Sequence, residues 1–67
     1  MIELIVNGEP VGIEKPMTIA EYLALHGLHD RTVVVEHNRE IVRRDLYGQT
    51  TLNTGDEMEI VRMMAGG

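Results

Sequence analysis

An α+β fold, with one mixed sheet of four to five strands and a single main helix packed across one face, is predicted by three observations in this 67-residue chain. The opening residues alternate apolar and polar and then meet Asn7-Gly8, a helix start with a complete capping signal follows at Thr18, and β-branched or alternating runs at 32–35 and 57–63 supply further strands. The core must be small, because a domain of about 60 residues buries only about 60% of its unfolded surface.

In residues 2–6, Ile-Glu-Leu-Ile-Val, the alternation puts Ile2, Leu4 and Val6 on one face of a strand. Asn7-Gly8 ends it, since these residues readily take the two positive-φ positions of a type I′ turn. Residues 9–14 then return antiparallel, and Pro10, which has no N–H to offer a ladder, places that strand at a sheet edge. Thr18 serves as N-cap of the helix, Glu21 completes a capping box three residues later, and Met17 is positioned to staple against Tyr22. Ile19, Tyr22 and Leu23 share one side of it, and Gly27 suits the left-handed conformation that closes its C-terminal end. Thr32-Val33-Val34-Val35 is nearly continuous in β-branched residues, as in the middle of a sheet. Ile41 and Val42 suit a short strand, residues 45–47 a helical turn, and 50–52 another short strand. Asn53-Thr54-Gly55-Asp56 reads as a turn, and 57–63 alternate as the last strand with Met58 and Ile60 inward. The economical packing buries Ile2, Leu4, Val6, Ile19, Leu23, Val33, Val35, Met58 and Ile60 between sheet and helix, which is a β-grasp architecture. The expected organisation is one domain over residues 1–64 and a flexible Ala65-Gly66-Gly67 tail over 65–67.

Composition excludes several function classes. No apolar run approaches the ~20 residues that cross a bilayer, and the N-terminus has no charged region followed by a long apolar stretch and cleavage site, so the expected location is the cytoplasm and no membrane contact is foreseen. The chain has no cysteine, hence no disulfide, CxxC pair, thiolate zinc ligand or side-chain persulfide. Eleven acidic residues against six basic ones, the latter scattered apart from Arg43-Arg44, lack the clustered Lys/Arg of a nucleic-acid footprint. The acidic excess suits either steering toward a basic partner or solubility, and solubility is the reading taken. His26, His29 and His37 have no convincing metal spacing with carboxylates, and no nucleophile sits beside a base. His26 and His29 read as ordinary residues near the helix end, and His37 as a surface residue at a strand end. No metal site, self-contained active site or bound cofactor is expected, and glycine patterns for nucleotides are absent.

The remaining unusual feature is the end of the sequence, Met63-Met64-Ala65-Gly66-Gly67, where side-chain bulk falls stepwise to backbone and a carboxylate. Glycine has no Cβ, so such a tail can enter a narrow channel and let an enzyme reach Gly67. An α-carboxylate ionises near pH 3.3 to 3.7 and is a poor electrophile at neutrality, so it needs activation. ATP can supply it through an acyl adenylate, and a sulfur nucleophile can then displace AMP to leave a C-terminal thiocarboxylate. That would let a chain without cysteine carry sulfur. A terminal Gly-Gly by itself is also compatible with a frayed end.

Several separated motifs carry a resemblance over almost the whole chain: Ile-Glu-Leu-Ile-Val-Asn-Gly, Thr-Ile-Ala-Glu-Tyr-Leu, Val-Val-Val-Glu-His-Asn followed by Glu-Ile-Val-Arg-Arg, and Leu-Asn-Thr-Gly-Asp-Glu-Met-Glu-Ile-Val ending in Ala-Gly-Gly. Together they resemble the ThiS family, the ubiquitin-like sulfur carriers of thiamine biosynthesis. The resemblance implies that Gly67 is adenylated by a ubiquitin-activating-enzyme-like adenylyltransferase, which uses ATP and Mg. It further implies loading from a sulfur donor protein and delivery to thiazole synthase. It also implies that the sheet face opposite the helix meets partners, with Val61, Met63, Met64, Ala65 and Gly66 as the binding positions. The chain would thus be a monomeric carrier acted on by enzymes, not an enzyme. Where many relatives have Asn-Gly, this chain has Asn38-Arg39, so either the turn differs or Asn38 takes the left-handed position. The small subunit of molybdopterin synthase, other ubiquitin-like sulfur carriers and, in a different class, a protein modifier or plain interaction module remain open as alternatives.

Overall fold

Asn7 and Gly8 adopt φ values of 51° and 81°, and fold β1 (Ile2–Val6) onto β2 (Glu9–Ile13) in the computed structural model, which describes residues 1–63. Met64 and the tail foreseen at 65–67 lie outside the described residues. In this two-residue hairpin Val6 and Glu9 pair next to the turn, so Pro10, opposite Ile5, falls where its missing N–H would point away from β1. The proline therefore costs no ladder bond, and β2 is an edge strand as its position in the sequence predicts.

A two-residue strand, β3 (Met17–Thr18), leads into helix α1 (Ile19–Leu25). Both halves of the capping box form: Thr18 Oγ1 accepts the Glu21 N–H at 3.1 Å, and Glu21 Oε1 accepts the Thr18 N–H at 2.8 Å. The two N–H groups left over go to a distant loop. Ile19 donates to the Thr50 carbonyl and Ala20 to the Tyr47 carbonyl, each at 3.0 Å, so the first turn has its donors satisfied. At the other end Gly27, at φ 69°, makes a Schellman closure, with Leu28 N–H on Leu23 C=O at 2.8 Å and Gly27 N–H on Ala24 C=O at 3.1 Å.

After a 3-10 turn at Asp30–Thr32 come β4 (Val33–His37) and β5 (Glu40–Ile41), a second 3-10 turn at Arg44–Leu46, then β6 (Thr51–Leu52) and β7 (Glu57–Arg62). The five-stranded mixed sheet has the order β2-β1-β7-β4-β5, with β1 and β7 parallel and the other neighbours antiparallel. The short strand expected at 50–52 is β6, and it pairs with β3 in a separate two-stranded ribbon beside the helix start, a pairing the sequence did not announce. The β-branched run of β4 lies between β7 and the two-residue β5; the middle of the sheet belongs to β7.

Seven of the nine predicted core residues are buried, while Ile2 and Ile60 are half-buried against that core. Ile13, Tyr22, Tyr47 and Leu52 join it. Tyr22 was foreseen on the inward side of the helix, but Tyr47 and Leu52 owe their burial to the loop that returns under the helix start. Burial holds the Tyr22 phenol above its ordinary value of 10.0, so it stays neutral.

The Asn38-Arg39 turn keeps the geometry of an Asn-Gly turn. Asn38 and Arg39 stand at φ 50° and 71°, close to Asn7 and Gly8, so the arginine itself occupies a position that favours glycine. Hydrogen bonds around it oblige this. Asn38 N–H donates to the Glu57 carbonyl at 2.8 Å, and Asn38 Oδ1 accepts the Glu57 N–H at 2.9 Å. Asp56 completes the lock: its carboxylate accepts from Asn53 N–H at 2.9 Å and Asn38 Nδ2 at 3.2 Å, and lies 2.8 Å from His37 Nε2. Burial alone would raise the Asp56 carboxyl, but hydrogen bonds from His37, Asn53 and Asn38 and the charge of His37 outweigh it and hold the group below its ordinary 3.8. His37, expected as a surface residue, is instead largely covered, with 17% of its side chain exposed.

Two outcomes follow from this turn and its lock. Left-handed backbone costs a non-glycine residue about 1–2 kcal/mol, partly offset by the extra freedom of glycine in the unfolded chain, so Arg39→Gly should raise the melting temperature by roughly 2–8 °C. A fall would show that the arginine side chain stabilises the turn by more than its backbone strains it. A depressed folded-state carboxyl stabilises the fold fully above its unfolded value and loses that contribution as pH falls through the lower folded value. Stability should therefore drop as pH falls below 3.8, and Asp56→Asn, less stable at pH 7, should show a flatter acid limb in thermal melts. Parallel acid limbs for the two proteins would remove Asp56 from this role.

Candidate functional site

Strand β7 carries the chain from the locked turn at Asp56 to the tail. Alternation along it sends Met58 and Ile60 toward the helix, and Glu57, Glu59 and Val61 to the opposite face, with Met63 in phase beyond the strand. Val61 is 59% exposed and Met63 46% exposed, as expected for positions on the open face. Val34 of β4 stands directly opposite Val61 and is exposed too, so the end of the face nearest the tail is apolar. Farther from the tail the same face turns acidic: Glu36 lies opposite Glu59, and Glu57 opposite Ile5. Like charges placed directly across a ladder repel, a small cost that a basic partner would relieve. Val34, Glu36 and Glu59 were not singled out from the sequence, although the burial of Val33 and Val35 already turns Val34 outward.

The last described tie of the main chain is Met63 N–H on the Thr32 carbonyl at 2.9 Å. The predicted positions Met64, Ala65, Gly66 and Gly67 lie outside the described residues, so of the foreseen site only Val61 and Met63 are placed. They share one face and flank the route to the tail.

Each histidine has a local partner. His29 Nδ1 accepts the Arg31 N–H at 3.1 Å and caps the 3-10 turn, His26 stacks on Tyr22 with ring centroids 4.3 Å apart, and His37 belongs to the Asp56 lock. Among the described residues no three His, Asp or Glu side chains gather as for a metal ion, and no helix is long and apolar enough to cross a membrane.

Comparison with known proteins joins the geometry to a family. The model of the ThiS family matches residues 4–67, which takes in the Ala65-Gly66-Gly67 tail. The chain belongs to the ThiS family. It is 37% identical over 62 residues to the sulfur carrier protein ThiS of Bacillus subtilis (strain 168), covering 91% of this chain and 94% of the relative. The crystal structure of the thiamine biosynthesis protein ThiS from Geobacter metallireducens superimposes with a TM-score of 0.82 at 33% identity, covering 98% of this chain and 100% of that one. This likeness confirms the β-grasp, ubiquitin-like fold. The chain is also 39% identical over 66 residues to a thiazole synthase of Paramagnetospirillum magneticum (strain ATCC 700264 / AMB-1), covering 98% of this chain but only 20% of that protein's length. The ThiS-family fold thus spans about a fifth of that larger relative.

The two faces of β7 should respond differently to substitution. Met58→Ala, at a position 1% exposed, should cost about 2–5 kcal/mol, whereas Val61→Asp should cost less than about 1 kcal/mol. Urea unfolding of both variants measures this, and a larger loss at Val61 would mean that its face is packed.

Proposed function

We propose that this chain is a sulfur carrier for thiazole formation in thiamine biosynthesis, with the Gly67 carboxylate as its working group. The match of the ThiS family through residue 67 carries this reading, because it includes the glycines that an activating enzyme would have to reach. The absence of cysteine agrees with it, since no side chain can hold a persulfide. A domain similar to this chain within a thiazole synthase supports that enzyme as the partner that receives the sulfur. The site of action is the cytoplasm, where ATP and the partner enzymes meet.

The chemistry proceeds in two substitutions. The Gly67 carboxylate attacks the α-phosphorus of ATP on a ubiquitin-activating-enzyme-like adenylyltransferase, with Mg held by that enzyme, and pyrophosphate leaves. A sulfur nucleophile of the hydrosulfide class, delivered by a donor protein, then adds to the acyl carbon. A C–S bond forms, the C–O bond to phosphate breaks, AMP departs with one original carboxylate oxygen, and a proton is released. The thiocarboxylate that remains passes its sulfur to thiazole synthase. The open face near the tail, with Val34, Val61 and Met63, provides the apolar contact that docks the domain on each enzyme in turn.

Incubation with the adenylyltransferase, ATP, Mg and a sulfide source should raise the intact mass by the difference between sulfur and oxygen. An unchanged mass overturns the reading. Removal of Gly66 and Gly67 leaves a carboxylate on Ala65 about 7 Å short, so that variant should not load. Val61→Asp should load with a raised KM, since it places an unpaired charge in the contact; an unchanged KM removes Val61 from the docking face.

A further inference from the structure

Strand β7 is paired on both sides over only part of its length. Successive residues of a strand point their N–H and C=O groups to alternate sides. Met58 C=O accepts from Asn7 N–H at 2.9 Å, and Ile60 N–H donates to Asn7 Oδ1 at 2.7 Å, so residues 58, 60 and 62 direct their polar groups toward the β1 side. There β1 ends at Val6 and the chain turns away, its side-chain amide supplying one last bond where a next strand residue would have been. The Ile60 C=O and both polar groups of Arg62 therefore face the β1 side with no strand beside them among the described residues. The opposite side is complete, because β4 pairs with β7 as far as Val33 opposite Arg62, and Thr32 holds Met63.

Under this short edge lies a hollow of about 220 Å³, walled by Val6, Tyr22, His26, Leu28, Ile60 and Arg62. Arg62 is the one basic residue in the last eleven positions of an otherwise acidic chain. Four residues separate Met63 from the end of Gly67, and a fully extended chain of that length reaches at most about 14 Å. An enzyme that closes on the Gly67 carbonyl therefore comes within about 14 Å of Met63, which adjoins this edge.

We infer that the Ile60-to-Arg62 edge of β7 is a strand-addition site for the adenylating enzyme. One short extended segment of that enzyme takes up the free groups of Ile60 and Arg62, with an aliphatic side chain over the hollow and a carboxylate beside the Arg62 guanidinium. Main-chain bonds supply the alignment, and the side chains supply selectivity. The extra strand makes the exit of β7 rigid on both sides and so aims the tail at the catalytic centre. The inference rests on the carrier reading and adds to it how the enzyme grips the domain.

Amide hydrogen exchange and loading kinetics on the full chain test it together. In the free protein the Arg62 amide should exchange as an open group, and with the adenylyltransferase and ATP present its exchange should slow at least about tenfold. Arg62→Pro removes an N–H that has no partner among the described residues, and should raise the KM for loading about three- to tenfold. Arg62→Ala keeps the N–H and should give a smaller, salt-dependent rise. If the wild-type chain loads with sulfur while its Arg62 amide stays unprotected in the complex, strand addition is overturned and the carrier function stands. If the wild-type chain is not adenylated at all, both fall. Should Arg62→Pro fail to fold, the exchange measurement on the wild-type protein decides alone.

Discussion

The placement of β7 between β1 and β4 is the constraint on which the rest of the molecule depends. Its neighbours come from the start and the middle of the sequence, with Ile5 beside Glu57 on one side and Val35 opposite Ile60 on the other. No turn can set a register between segments so far apart, and closing so long a loop is entropically unfavourable before any contact forms. The register is instead fixed by specific polar bonds at fixed points. Asn7 holds Met58 and Ile60 from the first hairpin, and Asn38 holds Glu57 from the second. Both asparagines sit in left-handed turns, so one residue type both makes the turn and ties it to the central strand. A slip by one residue would break these bonds and turn Met58 outward, exchanging a buried side chain for a glutamate.

The helix depends on the same logic of distant satisfaction. Its capping box is local, but Ile19 and Ala20 find their acceptors on the loop at Thr50 and Tyr47. That loop is anchored in turn by Tyr47 and Leu52, both buried beneath the helix start. Removing either side chain would loosen the loop and strand two helix donors, so the energetic weight of the irregular crossing exceeds what its few strand residues suggest.

Elements whose cause is local were legible in the sequence. The Asn7-Gly8 turn, the Thr18 and Glu21 box, the Gly27 closure and the inward set of β7 each follow from residues within a few positions of one another, and the structure has them where the residues place them. The short strand at 50–52 was legible, but the burial of Tyr47 and Leu52 and the pairing of β3 with β6 were not, because they are decided by where a loop crosses a helix some thirty residues away in the chain. The Arg39 backbone was hidden for a related reason. Local preference argues against an arginine at φ 71°, and only the bonds from Asn38 to β7 explain why the turn keeps that shape. At the candidate site, Val61 and Met63 followed from alternation, but the apolar patch needs Val34 across the ladder, and the free edge at Arg62 needs knowledge of where β1 stops.

Open edges invite unwanted pairing, and this sheet treats its edges unequally. On β2 the outward position is taken by Pro10, and β5 is only two residues long. The half-edge of β7 has neither a proline nor a bulge; among the described residues its protection is brevity and the Arg62 charge. A carrier has a reason to keep such a place. Fixing each residue of a polypeptide costs about 1–2 kcal/mol, glycine most of all, and an Ala-Gly-Gly sequence held in an enzyme's channel offers almost no side-chain contact in return. On the proposed reading, affinity for the enzyme then comes from the folded domain, close enough to the tail that binding would also position the reacting carbon. Among the described residues, the apolar face at Val34, Val61 and Met63 and the half-open strand beside it are the surfaces we propose for this requirement, one through side chains and one through the main chain.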